Sequence, residues 1–292
     1  MGARSQESAM PSPTLLAQFP TAHVATAHGR VAHRQSTSPG YAGAVTHVLL
    51  HGIGSGSASW LAQLQQAGGC AAASVLAWDA PGYGDSDALP MASPVANDYA
   101  LRFWAWLDAC SVESHQPFTL VGHSLGALVA AAAVVQQPAR VARLVLLAPA
   151  QGYARADAAT RQHKLEDRLA NLALWGPAGM ARRRAGAMLS PHASPALLQF
   201  VEQVMAGIDP RGYTQAARML STGDVAADLL QVRCPVVVGS GSADAVTPPQ
   251  GCRALAQLAG APYVDLGDAG HSCALEAAPE VNRLIGLAGD TP

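Results

Sequence analysis

The sequence predicts an α/β fold in which an eight-stranded, mostly parallel sheet carries helices on both faces and an inserted helical cap. Three observations predict it. From about Thr21, short β-rich runs alternate with longer stretches whose apolar residues recur at spacings of three and four. The later runs are apolar almost without interruption, as strands covered on both faces of a parallel sheet must be. The interval from Tyr153 to about Leu230 then contains no convincing strand before the β pattern resumes at Cys234.

The elements follow in order. Residues 1–18 have no continuous apolar stretch with a small-residue cleavage site, so they are expected to be a flexible tail rather than a secretory signal. AHVAT and GRVAHRQ form an opening antiparallel pair. VTHVLL, ASVLAWD, FTLVG, ARLVLLAP, CPVVVGS and APYVDL are the buried, mainly parallel strands. Helices are expected over Val95–Ala109, Leu125–Gln136, Pro249–Ala259 and Glu276–Leu287, each placed to cross over between parallel neighbours. Four further pieces, Ala156–Trp175, Pro177–Leu189, Pro195–Met205 and Arg211–Leu220, are separated by Gly and Pro and suit short cap helices. The expected division is therefore a core of 19–152 and 231–292 and a cap of 153–230.

Composition narrows the function classes. Half of the 292 residues are apolar and the formal net charge is −2, so a large core is affordable and no basic footprint invites nucleic acid or an anionic membrane. No apolar run reaches the roughly 18 residues of a spanning helix. Five cysteines, odd in number and without a C-x-x-C pair, are expected to be reduced thiols in a cytoplasmic protein. A small-molecule substrate is the expected partner, and a homo-oligomer stays open. His47 and His51 stand four apart but on a strand and its loop, so no metal site is expected; no phosphate or dinucleotide motif is present, so no cofactor is expected either.

The strongest local signal is Gly122-His123-Ser124-Leu125-Gly126, between the strand FTLV and an apolar helix. Flanking glycines permit a strained turn that lifts a serine hydroxyl above the sheet, and the next N–H, that of Leu125, opens a helix N-terminus. A serine needs a base to take its proton. His271, in the Gly-rich loop after the last strand, is that candidate. A base needs an acid to hold its tautomer, and Asp244, after the strand VVVGS, completes the chain order Ser, Asp, His. Asp265 and Asp268 compete but lie too near His271 in sequence to reach its far ring nitrogen. His51-Gly52-Ile53-Gly54 offers a second oxyanion donor, the Ile53 N–H, with His51 holding the loop.

The set HGIGSGSASW, WDAPGYGDSD, GHSLGALVA, GSADAVTPP and DAGHSCALEAAPEVN resembles the α/β-hydrolase superfamily over nearly the whole chain beyond the tail. It is most similar to the branch of bacterial esterases, enol-lactonases and carbon-carbon bond hydrolases. The resemblance implies an α/β-hydrolase sheet, a structural turn at Asp79-Ala80-Pro81-Gly82-Tyr83-Gly84 and a packing role for Trp60. Carbon-carbon bond hydrolases of this branch often carry Met after the nucleophile and Trp after the histidine, where this chain has Leu125 and Ser272. Ester or lactone cleavage through an acyl-enzyme on Ser124 is therefore expected. Carbon-carbon cleavage of a vinylogous diketone, cofactor-free perhydrolysis and a non-catalytic receptor are the alternatives. Arg182, Arg183 and Arg184 offer a partner for a substrate carboxylate, although such a run is more often a solvated face.

Overall fold

The runs His47–Leu50 and Ser74–Trp78 are buried at every position, as strands with cover on both faces must be. In the computed structural model, which describes residues 11–112 and 116–287, they are two of eight strands in a single sheet. In chain order these are β1 (Ala22–Thr26), β2 (Gly29–Thr37), β3 (His47–Leu50), β4 (Ser74–Trp78), β5 (Phe118–His123), β6 (Val141–Leu147), β7 (Val236–Ser240) and β8 (Tyr263–Asp265). The spatial order is β1-β2-β4-β3-β5-β6-β7-β8, antiparallel at β1-β2-β4 and parallel from there on. This is the sheet the sequence predicts.

Period-two alternation sends successive side chains into two cores. Val48, Leu50, Leu76, Trp78, Leu144 and Leu146 face one, with helices α3 (Ala96–Ala109), α4 (Gly126–Gln136) and α9 (Pro249–Leu258). Leu49, Val75, Ala77, Val145 and Leu147 face the other, under α2 (Leu61–Gly69), α10 (Cys273–Glu276) and α11 (Ala278–Ile285). The helix expected at 276–287 is α11, which begins at Ala278 after a break at Ala277, with Glu276 ending the separate short helix α10. Pro279 explains the break, because it has no N–H to give to the preceding turn and its ring crowds the carbonyl four residues back. Helix α2 falls in a stretch where the sequence signal is weak, LAQLQQAGG.

Between β6 and β7 run α5 (Ala158–Arg184), α6 (Pro195–Ala206), α7 (Pro210–Thr222) and α8 (Val225–Leu229). Helix α5 turns sharply at Gly176, whose φ of 59° interrupts the helix just before Pro177, so it has two arms. Asp157, Ser194, Asp209 and Asp224 cap the four helices with their side chains. The segment enters and leaves the core side by side: Ala154 N–H donates to the Gly223 carbonyl at 3.1 Å, and Val225 N–H to the Gln151 carbonyl at 3.2 Å.

Residues 1–10 of the expected tail lie outside the described residues. Its later part departs from the expectation: α1 (Pro13–Leu16) is a helical turn capped by Ser12, and Leu15, Leu16 and Phe19 pack against Leu61, Leu197 and Phe200.

Candidate active site

Ser124 stands between β5 and α4 with φ of 51°, a left-handed conformation that costs a non-glycine residue about 1–3 kcal/mol. The two glycines around it are there for space. A Cβ at Gly126 would lie 2.4 Å from the Leu50 carbonyl oxygen, and one at Gly122 would lie 2.7 Å from the Gly126 carbonyl oxygen. Helix α4 therefore starts in contact with the end of β3. Gly52 has the same reason: its Cβ would fall 2.9 Å from the Ser124 Cβ, so the loop 51–54 lies directly against the serine. Neither the Ile53 N–H nor the Leu125 N–H meets an acceptor among the described residues, and both residues line the cavity that Ser124 opens on.

That loop is held from behind. The buried His51 donates from Nδ1 to the Gly52 carbonyl at 2.8 Å and accepts the Ala80 N–H on Nε2 at 3.0 Å. Burial holds this imidazole below the usual histidine range, which keeps it in the neutral form both bonds need. Asp79 accepts from the Ser57 N–H and hydroxyl at 2.7 and 3.0 Å and fixes the next turn. Trp60, fully buried, meets the His123 ring edge-on at 6.3 Å between centroids.

His271 and Asp244 come together. The Nδ1–H of His271 donates to Asp244 Oδ2 at 2.9 Å, and the carboxylate is inaccessible to solvent. Its other oxygen accepts the N–H groups of Val246 and Thr247 at 2.8 and 2.9 Å. Burial pushes this carboxyl up, yet the His271 and Thr247 hydrogen bonds outweigh it and hold it below the usual carboxylate range. With Nδ1 committed to Asp244, the neutral imidazole carries its lone pair on Nε2. Asp265 pairs with Arg253 and Asp268 with His192, so neither competitor touches His271.

Ser124 and His271 line the same cavity, but no hydrogen bond joins the serine hydroxyl to the imidazole. Such bonds often tighten only when substrate is bound.

Two residues inside the quoted motifs, given no role by the sequence, also belong here. The Thr247 hydroxyl donates to Asp244 Oδ2 at 2.8 Å, has the Ala148 carbonyl as a second acceptor at 3.0 Å, and turns a lone pair to His271 Nδ1–H at 3.1 Å. Glu276 accepts the Gly270 N–H at 2.7 Å and the Ser190 N–H at 2.9 Å, tying the His271 loop to the segment after α5. Their roles come from the folded loops, some partners near in sequence (Asp244, Gly270) and some far (Ala148, Ser190), and periodicity reports neither.

The cavity holds about 240 Å³, with Met180, Met188, Met205, Ile208 and Leu220 among its apolar lining and Arg168 and Arg184 among its polar lining. Of the arginine run, Arg184 alone reaches it; Arg182 and Arg183 are exposed, with Arg183 stacked over Trp175 at 4.5 Å. Among the described residues no His, Cys, Asp and Glu cluster could hold a metal ion, and no helix is long and apolar enough to cross a membrane.

Comparison with known proteins gives the same picture. The chain is 28% identical over 272 residues to the inferred carbamate hydrolase RutD of Klebsiella pneumoniae (strain 342), covering 86% of this chain and 94% of that protein. It is 26% identical over 264 residues to 2-hydroxy-6-oxononadienedioate/2-hydroxy-6-oxononatrienedioate hydrolase 2 of Pseudomonas putida, covering 83% and 87%. Its fold is similar to that of an enol-lactonase from Burkholderia xenovorans LB400, with a TM-score of 0.76 at 21% identity over 91% of this chain and 98% of that one. The family model described as "Alpha/beta hydrolase family" matches residues 48–284, and with the sheet order above it shows that the chain belongs to the alpha/beta hydrolase family.

Proposed function

We propose that this chain is a cytoplasmic serine hydrolase that cleaves a small-molecule carboxylic ester or lactone through an acyl-enzyme on Ser124. The observation that carries the reading is the convergence on one cavity of a serine in a strained turn, a histidine bonded to a buried carboxylate, and two free N–H groups. In the first half-reaction Ser124 Oγ attacks the carbonyl carbon as His271 Nε2 takes its proton. The developing oxyanion accepts from the Ile53 and Leu125 N–H groups, the second of which opens the positive end of α4. His271 returns the proton to the leaving alkoxide, and Asp244 stabilises the imidazolium between the two transfers. A water, deprotonated by His271, then releases the acid and restores Ser124.

A second reading keeps this machinery and breaks a carbon-carbon bond, favoured by the likeness to the Pseudomonas putida hydrolase. One experiment addresses both. Wild type and Ser124→Ala are assayed against p-nitrophenyl esters, lactones and a vinylogous diketone, with products identified, and labelled with a fluorophosphonate followed by peptide mapping. The expected result is ester or lactone turnover that falls about a thousandfold or more in the variant, with label on Ser124. Folded wild-type protein that is neither labelled at Ser124 nor active on any ester or lactone refutes the ester reading. A carboxylic acid and a ketone released from the diketone, with the esters and lactones left intact, would establish the second.

A further inference from the structure

The cavity has a cationic side. Arg168, on the first arm of α5, and Arg184, near the end of the second arm, both line it and both are half-buried. Among the described residues no Asp or Glu lines the cavity and neither arginine makes an ion pair. Four other arginines do pair, Arg140 with Asp108, Arg155 with Asp224, Arg253 with Asp265 and Arg283 with Glu280, while Arg34, Arg102 and Arg218 donate to main-chain carbonyls. Arg168 instead lies beside the phenols of Tyr153 and Tyr213. A phenol beside a guanidinium brings no carboxylate to compensate its charge. In a small cavity with apolar walls that charge acts at short range and low dielectric. The guanidinium fork matches the two oxygens of a carboxylate.

We propose that Arg168, assisted by Arg184, is an anion subsite, so that the preferred substrate carries a carboxylate at the end remote from the bond presented to Ser124, with an apolar stretch between. The second part rests on the hydrolase reading above; the subsite itself does not. The alternative role for Arg168 is to fasten Tyr153, at the entrance to the inserted segment, to Tyr213 on α7.

The test compares p-nitrophenyl hydrogen adipate with p-nitrophenyl hexanoate, whose acyl chains match in length but differ in terminal charge. Wild type is expected to favour the half-acid in kcat/KM. Arg168→Met should lower kcat/KM for the half-acid by about ten- to a hundredfold, mainly through KM, with the hexanoate nearly unchanged and Arg168→Lys intermediate. Equal losses on the two esters, or a wild type indifferent to the charge, would overturn the proposal in favour of the fastening role. Arg168→Gln, which can still bond the phenols, decides in the same way should Arg168→Met fail to fold. Calorimetry of adipate binding to Ser124→Ala, with and without Arg168→Gln, reads the subsite without turnover. Binding weakened by about tenfold or more supports it even if no ester is cleaved, and unchanged binding overturns it even if esters are.

Discussion

The Nε2–H of His123 donates to the main-chain carbonyl of His271 at 2.8 Å, so the residue before the serine holds the loop that carries the imidazole. The two rings stack at a tilt, 4.8 Å between centroids. His123 is buried, and burial followed by the neighbouring His271 lowers its pKa from 6.5 to about 3. The donated bond uses the neutral ring.

Stability should therefore fall on mild acidification. Below 6.5 the unfolded chain takes up a proton that folded His123 refuses, so its contribution is lost as pH falls from 6.5 toward 3. It amounts to roughly 2 kcal/mol at about pH 5. His33, His47 and His51 are lowered by burial too and act in the same direction. Asp228, raised to about 6 by burial and by Asp224, acts in the opposite one, and its half-exposed side chain makes that effect smaller. Thermal unfolding at about pH 7 and about pH 5 measures the drop, and His123→Gln should shrink it. An equal melting temperature at both pH values contradicts the argument.

Asp244→Asn should leave the fold intact and lower kcat by about ten-thousandfold, because an amide can donate to Nδ1 and favour the wrong tautomer. Steady-state kinetics beside a circular dichroism spectrum check it. A loss below about tenfold would remove Asp244 from its proposed role.

Thr247→Val removes one of the hydrogen bonds on the Asp244 carboxylate while keeping the side-chain shape. The two backbone donors to its other oxygen remain. Activity should fall about tenfold in kcat with KM little changed, and Thr247→Ser should restore most of it. A matching loss in the serine variant would point to packing instead.

Gly126→Ala forces a methyl group against the Leu50 carbonyl, where backbone on both sides cannot give way. Destabilisation of about 3 kcal/mol or more is expected by denaturant titration. Gly176→Ala makes the contrasting case. Nothing lies within 4 Å of its Cβ, so the cost is that of the backbone alone, about 1–3 kcal/mol for φ 59° with ψ 178°, a region open essentially to glycine only.

The sheet was legible because buried parallel strands must be apolar at nearly every position, and runs such as VTHVLL and ARLVLLAP have no other plausible use. The helices were less so: α2 is rich in glutamine and ends in two glycines, and Pro279 divides a continuous periodic pattern. Ser124, Asp244 and His271 stood out because each sits where a strand meets a Gly-rich turn. Thr247, Glu276 and Arg168 did not, since a hydroxyl, a carboxylate and a guanidinium serve many ends and only the folded loops show which groups they meet. Of the arginine run, Arg184 lines the cavity, and the break at Gly176 lets Arg168 of the other arm line the same wall.

Glu276 bridges the loop of His271 and the inserted segment. One carboxylate grips Gly270, next to the imidazole, and Ser190, in the inserted segment; the Ser272 N–H adds a second tether to the Met188 carbonyl at 2.7 Å. The inserted segment and the loop carrying His271 therefore share one carboxylate, and a change at Glu276 would loosen both at once.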